Sequence, residues 1–300
     1  MTVGEAAALI RAGDVVAFAT ETVYGLGANA LDEAAVRRIY EIKGRPSTSP
    51  LIVHVSSIEM AQSLTIEWSG VAARLAARYW PGPLTLVLPK RPHVPDLVTA
   101  GLPTVGIRMP AHPQALELIR QAGVPVAAPS ANRFTQLSPT TAAHVIEAFG
   151  GRVPVLDGGP CRVGIESTVV SLAGPLPVLL RPGMIPRDEL EAITGPLEVI
   201  SQQSGAHSAP GLHERHYQPR TPLYIHGAPS LAGRGLTLRR GIELPADAAG
   251  YAAHLYEALH DADTKGYDWI AVEPPPPGAE WDGIRDRLQR AAARRVEDAE

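Results

Sequence analysis

TVGEAAALIRAGDVVAFAT, residues 2–20, carries the first helix and the first strand that the sequence predicts. Val3, Ala7 and Ile10 recur at helical spacing, and Gly13 is suited to end the helix. The run VVAFAT that follows is short and apolar, which is typical of a buried strand. A helix followed at once by a buried strand indicates a mixed α/β fold.

The same patterns continue along the chain. More helices are predicted at 32–43, 69–79, 112–121 and 140–149, and more strands at 51–55, 84–88, 104–108, 125–128, 167–172 and 178–180. Ser138 and Pro139 are the expected cap and first-turn proline of the 140–149 helix. Because several strands follow one another without a helix between them, we expect a mixed twisted sheet flanked by helices.

Periodicity weakens after Gly195, which predicts three parts. Residues 1–195 form the first domain, 196–221 a linker or long ordered loop, and 222–300 a small second α/β domain of Rossmann-like type. The elements expected in the second domain are a strand at 223–226, a helix at 248–263, a strand at 269–272 and a helix at 282–295.

Composition excludes several classes of protein. The chain has 300 residues, 45% of them hydrophobic, a formal charge of −4 and a pI near 6.2, and residues 1–195 carry 16 basic and 16 acidic side chains. A surface that binds nucleic acid by bulk positive charge is therefore not expected. A single cysteine, Cys161, excludes an internal disulfide and a multi-thiolate metal site. With no apolar run of membrane-spanning length, we expect no membrane contact and a cytoplasmic location.

Common catalytic motifs are missing from the sequence. It contains no GxxxxGK[ST], no HExxH and no GxSxG. The histidines of HERH, 213–216, lie three apart in a segment without helical pattern, so we assign them no metal.

Six short polar strings stand at predicted strand or helix ends instead. They are TETVYGLG (20–27), KGRPSTSPL (43–51), TVGIRMP (104–110), APSANRFTQLSPTT (128–141), GIESTVVS (164–171) and LLRPG (179–183). Each has a plain structural alternative. TETVYGLG suits a tight turn, GIESTVVS ordinary β-propensity, Lys43 and Arg45 a helix C-terminus, and Ser138 a cap, while Arg108 and Arg181 suit either a ligand or an internal ion pair. Together they supply hydroxyl and guanidinium donors without a nucleophile and its base, which favours a site that positions phosphates and a carboxylate.

In this order the six strings, with LIVHV at 51–55 and PGPLTLVL at 81–88, resemble the YrdC-like domain of the threonylcarbamoyl-adenylate synthases over residues 1–195. APGLHERHYQPRTPL, 209–223, and the helices after it resemble the linker and C-terminal domain of the longer members. The resemblance implies a nucleotidyltransferase that condenses L-threonine, bicarbonate and ATP to threonylcarbamoyl-AMP and pyrophosphate. This is the first step in making threonylcarbamoyl-adenosine on tRNA.

Matching motif positions implies two sets of site residues. The threonine set is Thr22, His54, Arg108, Ala128 and Ser167. The ATP set is Lys43, Arg45, Ser49, Thr104, Ser130, Asn132, Ser138, Arg181 and Tyr217. Lys43 and Arg45 are the expected catalytic cations, Arg108 is the expected partner of the amino-acid carboxylate, and the linker is expected to place Tyr217 over the nucleotide.

The resemblance also implies Mg²⁺ with the ATP, no metal held by the protein itself, a weak contact with tRNA and a downstream threonylcarbamoyl transferase that takes the product. Two other classes stay open on sequence grounds. An RNA-binding module would use a local patch of Lys43, Arg45, Arg108 and Arg181. A carbamoyl transferase built on a related adenylate would carry further domains with zinc-ligand cysteines, which one cysteine does not supply.

Overall fold

The computed structural model describes residues 1–199, 216–225 and 232–292. Its helices are α1 (Val3–Arg11), α2 (Glu33–Lys43), α3 (Ile58–Ser63), α4 (Gly70–Tyr79), α5 (Asp96–Thr99), α6 (Pro113–Ala122), α7 (Ala142–Phe149), α8 (Arg187–Thr194), α9 (Ala248–Lys265) and α10 (Asp282–Ala291), with a 3-10 turn at Ala279–Trp281. None of the helices in these ranges is long and apolar enough to cross a membrane.

The strands form two sheets. They are β1 (Val16–Phe18), β2 (Gly25–Asn29), β3 (Ile52–His54), β4 (Leu84–Pro89), β5 (Thr104–Arg108), β6 (Val126–Ala127), β7 (Val155–Leu156), β8 (Thr168–Ser171), β9 (Val178–Arg181), β10 (Glu198–Val199), β11 (Leu223–Ile225), β12 (Gly235–Leu238) and β13 (Trp269–Val272). The mixed α/β fold with a large sheet and a second, smaller α/β unit is confirmed.

The large sheet has ten strands in the order β10-β9-β8-β4-β5-β3-β6-β2-β1-β7. Four of its strand pairs are parallel and five are antiparallel, as expected for strands that follow one another without a helix. The small sheet, β11-β13-β12, is parallel throughout. We call residues 1–199 the large-sheet region, and residues 216–225 with 232–292 the small-sheet region.

Most of the predicted elements appear within two residues of their expected bounds. β5 and β13 match the predictions at both ends. The strand predicted at 223–226 is described as far as Ile225, and residue 226 and most of the 196–221 linker lie outside the described ranges. The helix predicted at 282–295 was placed too long: α10 ends at Ala291, because the backbone of Ala292 is extended. The division of the chain at 195 and 221 therefore stays a prediction.

One cap was predicted wrongly. The N-cap of α7 is Thr141, whose hydroxyl accepts a hydrogen bond from the backbone N–H of His144 at 3.3 Å. Ser138 lies three residues earlier and donates its hydroxyl to the carboxylate of Glu166. The Ser138 side chain, predicted to cap the helix, therefore binds an acid that is distant in sequence.

The sequence patterns also missed several short elements, of which β2 matters most. Gly25–Asn29, expected as a turn at a strand end, pairs with β1 and β6. At Gly27, a Cβ would lie 2.6 Å from the Phe18 ring and 2.8 Å from Val126. Only glycine lets the chain pass at this position, and a strand of small residues escapes recognition by apolar alternation.

Candidate functional site

A cavity lies over the large sheet, beside the ends of β3 and β5. Register pairs His54 with Arg108, and alternation places Ile52 and His54 on the same face of β3. The predicted site residues that line the cavity are Thr22, Arg45, His54, Arg108, Ala128, Ser130, Ser167, Arg181 and Tyr217. Its wall thus contains three guanidinium groups, and the carboxylate of Glu166 lines it as well.

Arg108 is held by an internal ion pair. Its Nη2 lies 2.7 Å from Oε1 of Glu21, and both side chains are only 4% exposed. Nη1 donates to the hydroxyl of Thr22 at 2.8 Å, and Nε to the carbonyl of Gly82 at 3.2 Å. The ion-pair alternative is therefore realised for Arg108, and the same pair fixes the guanidinium in the cavity wall.

Arg181 is fixed by Ser167, which ends the GIES string directly before β8. Its Nε donates to the carbonyl of Ser167 at 3.0 Å, and its Nη2 to the Ser167 hydroxyl at 3.1 Å. The Ser167 hydroxyl also lies 2.7 Å from that of Thr85 on β4. Three strands therefore set the position of Arg181 and Ser167 together.

Arg45 reaches the cavity from the turn after α2, where Gly44 adopts the left-handed conformation. Its Nη2 donates to the Ser49 hydroxyl at 2.6 Å and to the carbonyl of Pro50 at 3.0 Å. Burial, together with the nearby positive charge of Arg181, lowers the pKa of Arg45 to about 10. Both guanidinium groups stay protonated at neutral pH, and their mutual repulsion favours an anion between them.

Lys43 lies behind the cavity wall. Its ammonium donates to the carbonyls of Ser130 and Asn132, the first at 2.6 Å, and the carbonyl of Lys43 accepts from the backbone N–H of Phe134 at 2.9 Å. Burial, followed by the charge of Arg45, lowers the pKa of Lys43 well below its usual range. Lys43 therefore holds the 130–134 loop in place from below.

Four other predicted ATP residues also lie outside the cavity lining: Ser49, Thr104, Asn132 and Ser138. Asn132 donates to the carbonyls of Arg133 and Gln136, both at 2.8 Å, and so closes its own loop. Thr104 is half-buried at the start of β5, four residues and roughly 13 Å from Arg108 at ~3.3 Å per residue. The structure does not bring Thr104 to this cavity.

His216 and Tyr217 cover the cavity from the small-sheet region. Their rings pack edge to face with 4.1 Å between the ring centroids. The backbone N–H of His216 donates to the carbonyl of Arg290 on α10 at 3.2 Å. Tyr217 is buried with φ at +62°, a conformation uncommon for tyrosine, and its hydroxyl has no hydrogen-bond partner among the described residues. Tyr217 thus lines the same cavity as Arg45 and Arg181.

His54 contributes a neutral imidazole. It is buried on β3, and its Nδ1 has no hydrogen-bond partner within the described ranges. Burial, followed by the positive charge of Arg108, lowers the pKa of His54 to about 3. The ring therefore stays uncharged at neutral pH and offers a polar atom to a ligand in the cavity.

This shift makes folding stability depend on pH. The unfolded chain binds a proton at His54 below about pH 6.5, whereas the folded chain binds it only near pH 3, so stability falls as the pH falls between these values. We expect His54→Gln to reduce the loss of unfolding free energy between pH 7 and pH 5 by about 2 kcal/mol. Urea unfolding at the two pH values measures the difference.

His254→Gln is the matched control, because His254 is exposed on α9. It should keep the pH dependence of the original chain. If His54→Gln keeps it too, another group is responsible for the acid sensitivity.

Sequence reasoning missed four residues of this site: Thr20, Glu21, Glu166 and His216. Thr20, Glu166 and His216 line the cavity, and Glu21 holds Arg108. Each lies in a sequence string quoted above, but in each string other residues were named as the site residues. The need of Arg108 for an acid partner was a usable signal for Glu21, since a buried guanidinium is costly without one.

The arrangement suits an anionic ligand with several negatively charged oxygens. Guanidinium forks recognise phosphate and carboxylate groups, while the hydroxyls of Thr22, Ser130 and Ser167 add neutral donors. Within the described ranges no group of three or more histidine, cysteine or acidic side chains could hold a metal ion. The only cysteine, Cys161, is buried, and burial raises its pKa to about 12, so it offers no thiolate.

Two family models match this chain. Residues 8–183 match the model described as telomere recombination, and residues 185–293 match the C-terminal domain of threonylcarbamoyl-AMP synthase. Together they cover nearly the whole chain.

Full-length relatives agree with these matches. The chain is 44% identical to the threonylcarbamoyl-AMP synthase of Bacillus subtilis strain 168, covering 98% of this chain and 94% of that protein. It is 42% identical to the threonylcarbamoyl-AMP synthase of Pyrococcus abyssi strain GE5, with 97% and 94% covered. The crystal structure of P. abyssi Sua5 complexed with L-threonine superposes with a TM-score of 0.91 at 40% identity, covering 97% of this chain and 94% of that one.

Proposed function

The chain belongs to the threonylcarbamoyl-AMP synthase family. On this basis we propose which residues of the cavity bind each substrate and which stabilise the reacting charges. The protein is an enzyme of tRNA modification that uses ATP and makes threonylcarbamoyl-AMP. The observation that carries the proposal is the convergence of Arg45, Arg108 and Arg181 on one cavity. Two parts of the substrate set, a triphosphate and an amino-acid carboxylate, require such groups.

We assign L-threonine to the end of the cavity at Arg108. The guanidinium faces the amino-acid carboxylate there, while the Glu21 ion pair and the Thr22 hydroxyl keep it oriented. His54 offers its neutral ring to the polar groups of threonine, and the backbone of Ala128 and the hydroxyl of Ser167 complete the subsite. That a P. abyssi relative was crystallised with L-threonine supports threonine as the amino-acid ligand.

ATP belongs at the end of the cavity lined by Arg45, Ser130 and Arg181, beneath Tyr217. A helix-terminal turn and the end of a strand present the two guanidinium groups to the phosphates. Lys43, Ser49, Asn132 and Ser138 support this subsite through the contacts described above. Thr104 stays a predicted ATP residue without a contact to the cavity.

The chemistry requires positioning and charge neutralisation. Threonine and bicarbonate form a carbamate with loss of water. One carbamate oxygen then attacks the α-phosphorus of ATP while the bond to the pyrophosphate oxygen breaks. Arg45 and Arg181 stabilise the charge that moves onto pyrophosphate. Mg²⁺ bound to ATP would supply further neutralisation of the phosphate charge. The carboxylates of Glu21 and Glu166 near the cavity are engaged by Arg108 and Arg287, so the protein would offer this ion no free carboxylate there.

The segment with His216 and Tyr217 acts as a lid. The cavity encloses about 50 Å³, whereas ligand pockets usually measure ~300–1,000 Å³. ATP and threonine therefore require this segment to move on binding. Its return would exclude water from the labile carbamate.

The remaining parts of the assignment follow from the product. Threonylcarbamoyl-AMP is a reactive mixed anhydride, so a downstream threonylcarbamoyl transferase must take it over quickly. A weak contact with tRNA and a cytoplasmic location fit the same role, because the modification is completed on tRNA.

Pyrophosphate release tests the function directly. The purified protein is incubated with ATP, Mg²⁺ and bicarbonate, with L-threonine, with serine or without an amino acid. We expect release to depend on L-threonine and to be much weaker with serine. If no amino acid stimulates release while the protein binds RNA in a salt-dependent way, an RNA-binding role replaces the proposed one.

A further inference from the structure

Arg287 is the largest side chain in the structure that is fully buried, and it belongs to the small-sheet region. It lies on α10, a helix whose other arginines are partly exposed. Long charged side chains are almost never buried completely unless they are paired. The position of Arg287 therefore calls for a partner strong enough to offset its desolvation.

Its partners lie mainly across the boundary, in the large-sheet region. Nε lies 2.7 Å from Oε2 of Glu166, Nη2 donates to the Glu166 carbonyl at 3.1 Å, and Nη1 donates to the carbonyl of Pro182 at 3.0 Å. Only Asp286, at 2.6 Å from Nη1, is an acidic partner from its own helix. The guanidinium fork is thus directed at the two turns that flank the cavity, at 164–167 and 181–183.

Glycines on both sides permit this close approach. A Cβ on Gly283 of α10 would lie 2.6 Å from the carbonyl oxygen of Gly183. A Cβ on Gly164 would lie 2.2 Å from the carbonyl oxygen of Ala252 on α9. Backbone therefore packs on backbone at this boundary, which fixes the distance from α10 to the cavity wall.

Glu166 carries the contact into the ATP end of the cavity. Its Oε1 accepts the hydroxyl of Ser138, and its Oε2 also accepts that of Tyr256 at 3.2 Å. Burial alone would raise the pKa of Glu166, but the charges of Arg287 and Arg181 bring it below its ordinary value, so the carboxylate is ionised. A buried negative charge thus lines the cavity that receives a triphosphate.

Such a charge opposes ATP unless a cation neutralises it, because repulsion between like charges is poorly screened in a buried site. Arg287 supplies that cation from outside the cavity. Its guanidinium also lies 5.2 Å from the centre of the Tyr217 ring, within range of a cation–π contact. One side chain therefore touches both the acid in the wall and the lid above it.

We propose that Arg287 is a positioning residue for ATP, acting by neutralising Glu166 and holding Ser138 and Tyr217 in place. Through Arg287, α10 then completes the ATP site without touching the substrate itself. This inference rests on the proposed function. It adds a specific task for the C-terminal part of the chain, which the pocket-lining residues alone do not reveal.

Steady-state kinetics of Arg287→Met test the proposal, with pyrophosphate release as the readout. We expect the KM for ATP to rise at least tenfold, while the KM for L-threonine changes less than twofold. A general loss of structure would move both constants. Isothermal titration with ATP alone checks that the change lies in binding.

Arg287→Met/Glu166→Gln is the decisive second variant. With the carboxylate removed, no cation is needed, and we expect the KM for ATP to return to within about threefold of the original value. The single variant Glu166→Gln should fold, because Asp286 still pairs with Arg287. Arg285→Met is the matched control: Arg285 lies on the same helix, and its partners among the described residues are Pro276, Gly278 and Asp282 in its own region.

The outcomes separate the two proposals. If the original protein shows no threonine-dependent release, the proposed function fails. If it is active and Arg287→Met keeps its KM for ATP, the role of Arg287 is refuted. The same holds if the double variant folds but recovers nothing, since charge neutralisation would then not be what Arg287 supplies.

Discussion

We expect Arg108→Met to lower kcat/KM for L-threonine by about a hundredfold or more, because the proposed charge-assisted hydrogen bond to the substrate carboxylate would be lost and Glu21 would be left without its cation. The second effect also reaches the fold. Removing one partner of a buried ion pair costs about 3–5 kcal/mol of stability. Pyrophosphate release at varied threonine and thermal unfolding measure the two losses separately.

A double variant distinguishes binding from folding. Arg108→Met/Glu21→Gln removes both charges, so most of the lost stability should return while activity stays low. If activity returned together with stability, Arg108 would matter only as the partner of Glu21. Threonine would then be bound by other residues of the cavity.

Arg45→Met is expected to reduce kcat/KM for ATP by roughly 10²–10³-fold, the usual cost of removing one donor from a charge-stabilising site. Its guanidinium lines the cavity and bonds to the turn at Ser49 and Pro50, and the Glu21 pair that orients Arg108 lies elsewhere. The KM for L-threonine should therefore change little. Kinetics with each substrate varied in turn measure this difference.

Arg45→Lys tests whether shape or charge is needed. Lysine keeps the charge but not the planar fork, so we expect an intermediate loss. Arg37→Met on the exposed face of α2 is the control and should leave both constants unchanged. Equal losses for Arg45→Met in the constants of both substrates would argue that the substitution disturbs the whole site.

Much of the fold could be predicted because its signals are local. The period of apolar residues identifies α2, α4, α6 and α9, and β5 and β13 match the predicted bounds. β2 could not be predicted in this way, because a strand of glycine and small residues shows no alternation. Its place depends on Phe18 and Val126, which are close to Gly27 only after folding.

The sequence predicted which polar strings contribute residues to the site, but not which contacts those residues make. Arg108 and Arg181 were singled out because a charge at a strand end needs an anionic partner, Arg45 as one of two cations at the end of α2, and all three line the cavity. Lys43 was singled out on the same grounds but holds two carbonyls of the loop behind it. The sequence does not distinguish Lys43 from these arginines, because each is a cation near the end of a helix or strand.

By itself the sequence determined the α/β class, the order of the polar strings and the family they resemble, since these depend on period and on motifs read along the chain. Only the tertiary structure decided which charged side chains form ion pairs with each other. Glu21 pairs with Arg108 across 87 positions of sequence, and Glu166 with Arg287 across 121. The physical reason is that the energy of a buried charge depends on its neighbours in space, and those are set only when the two sheets and α10 have packed together.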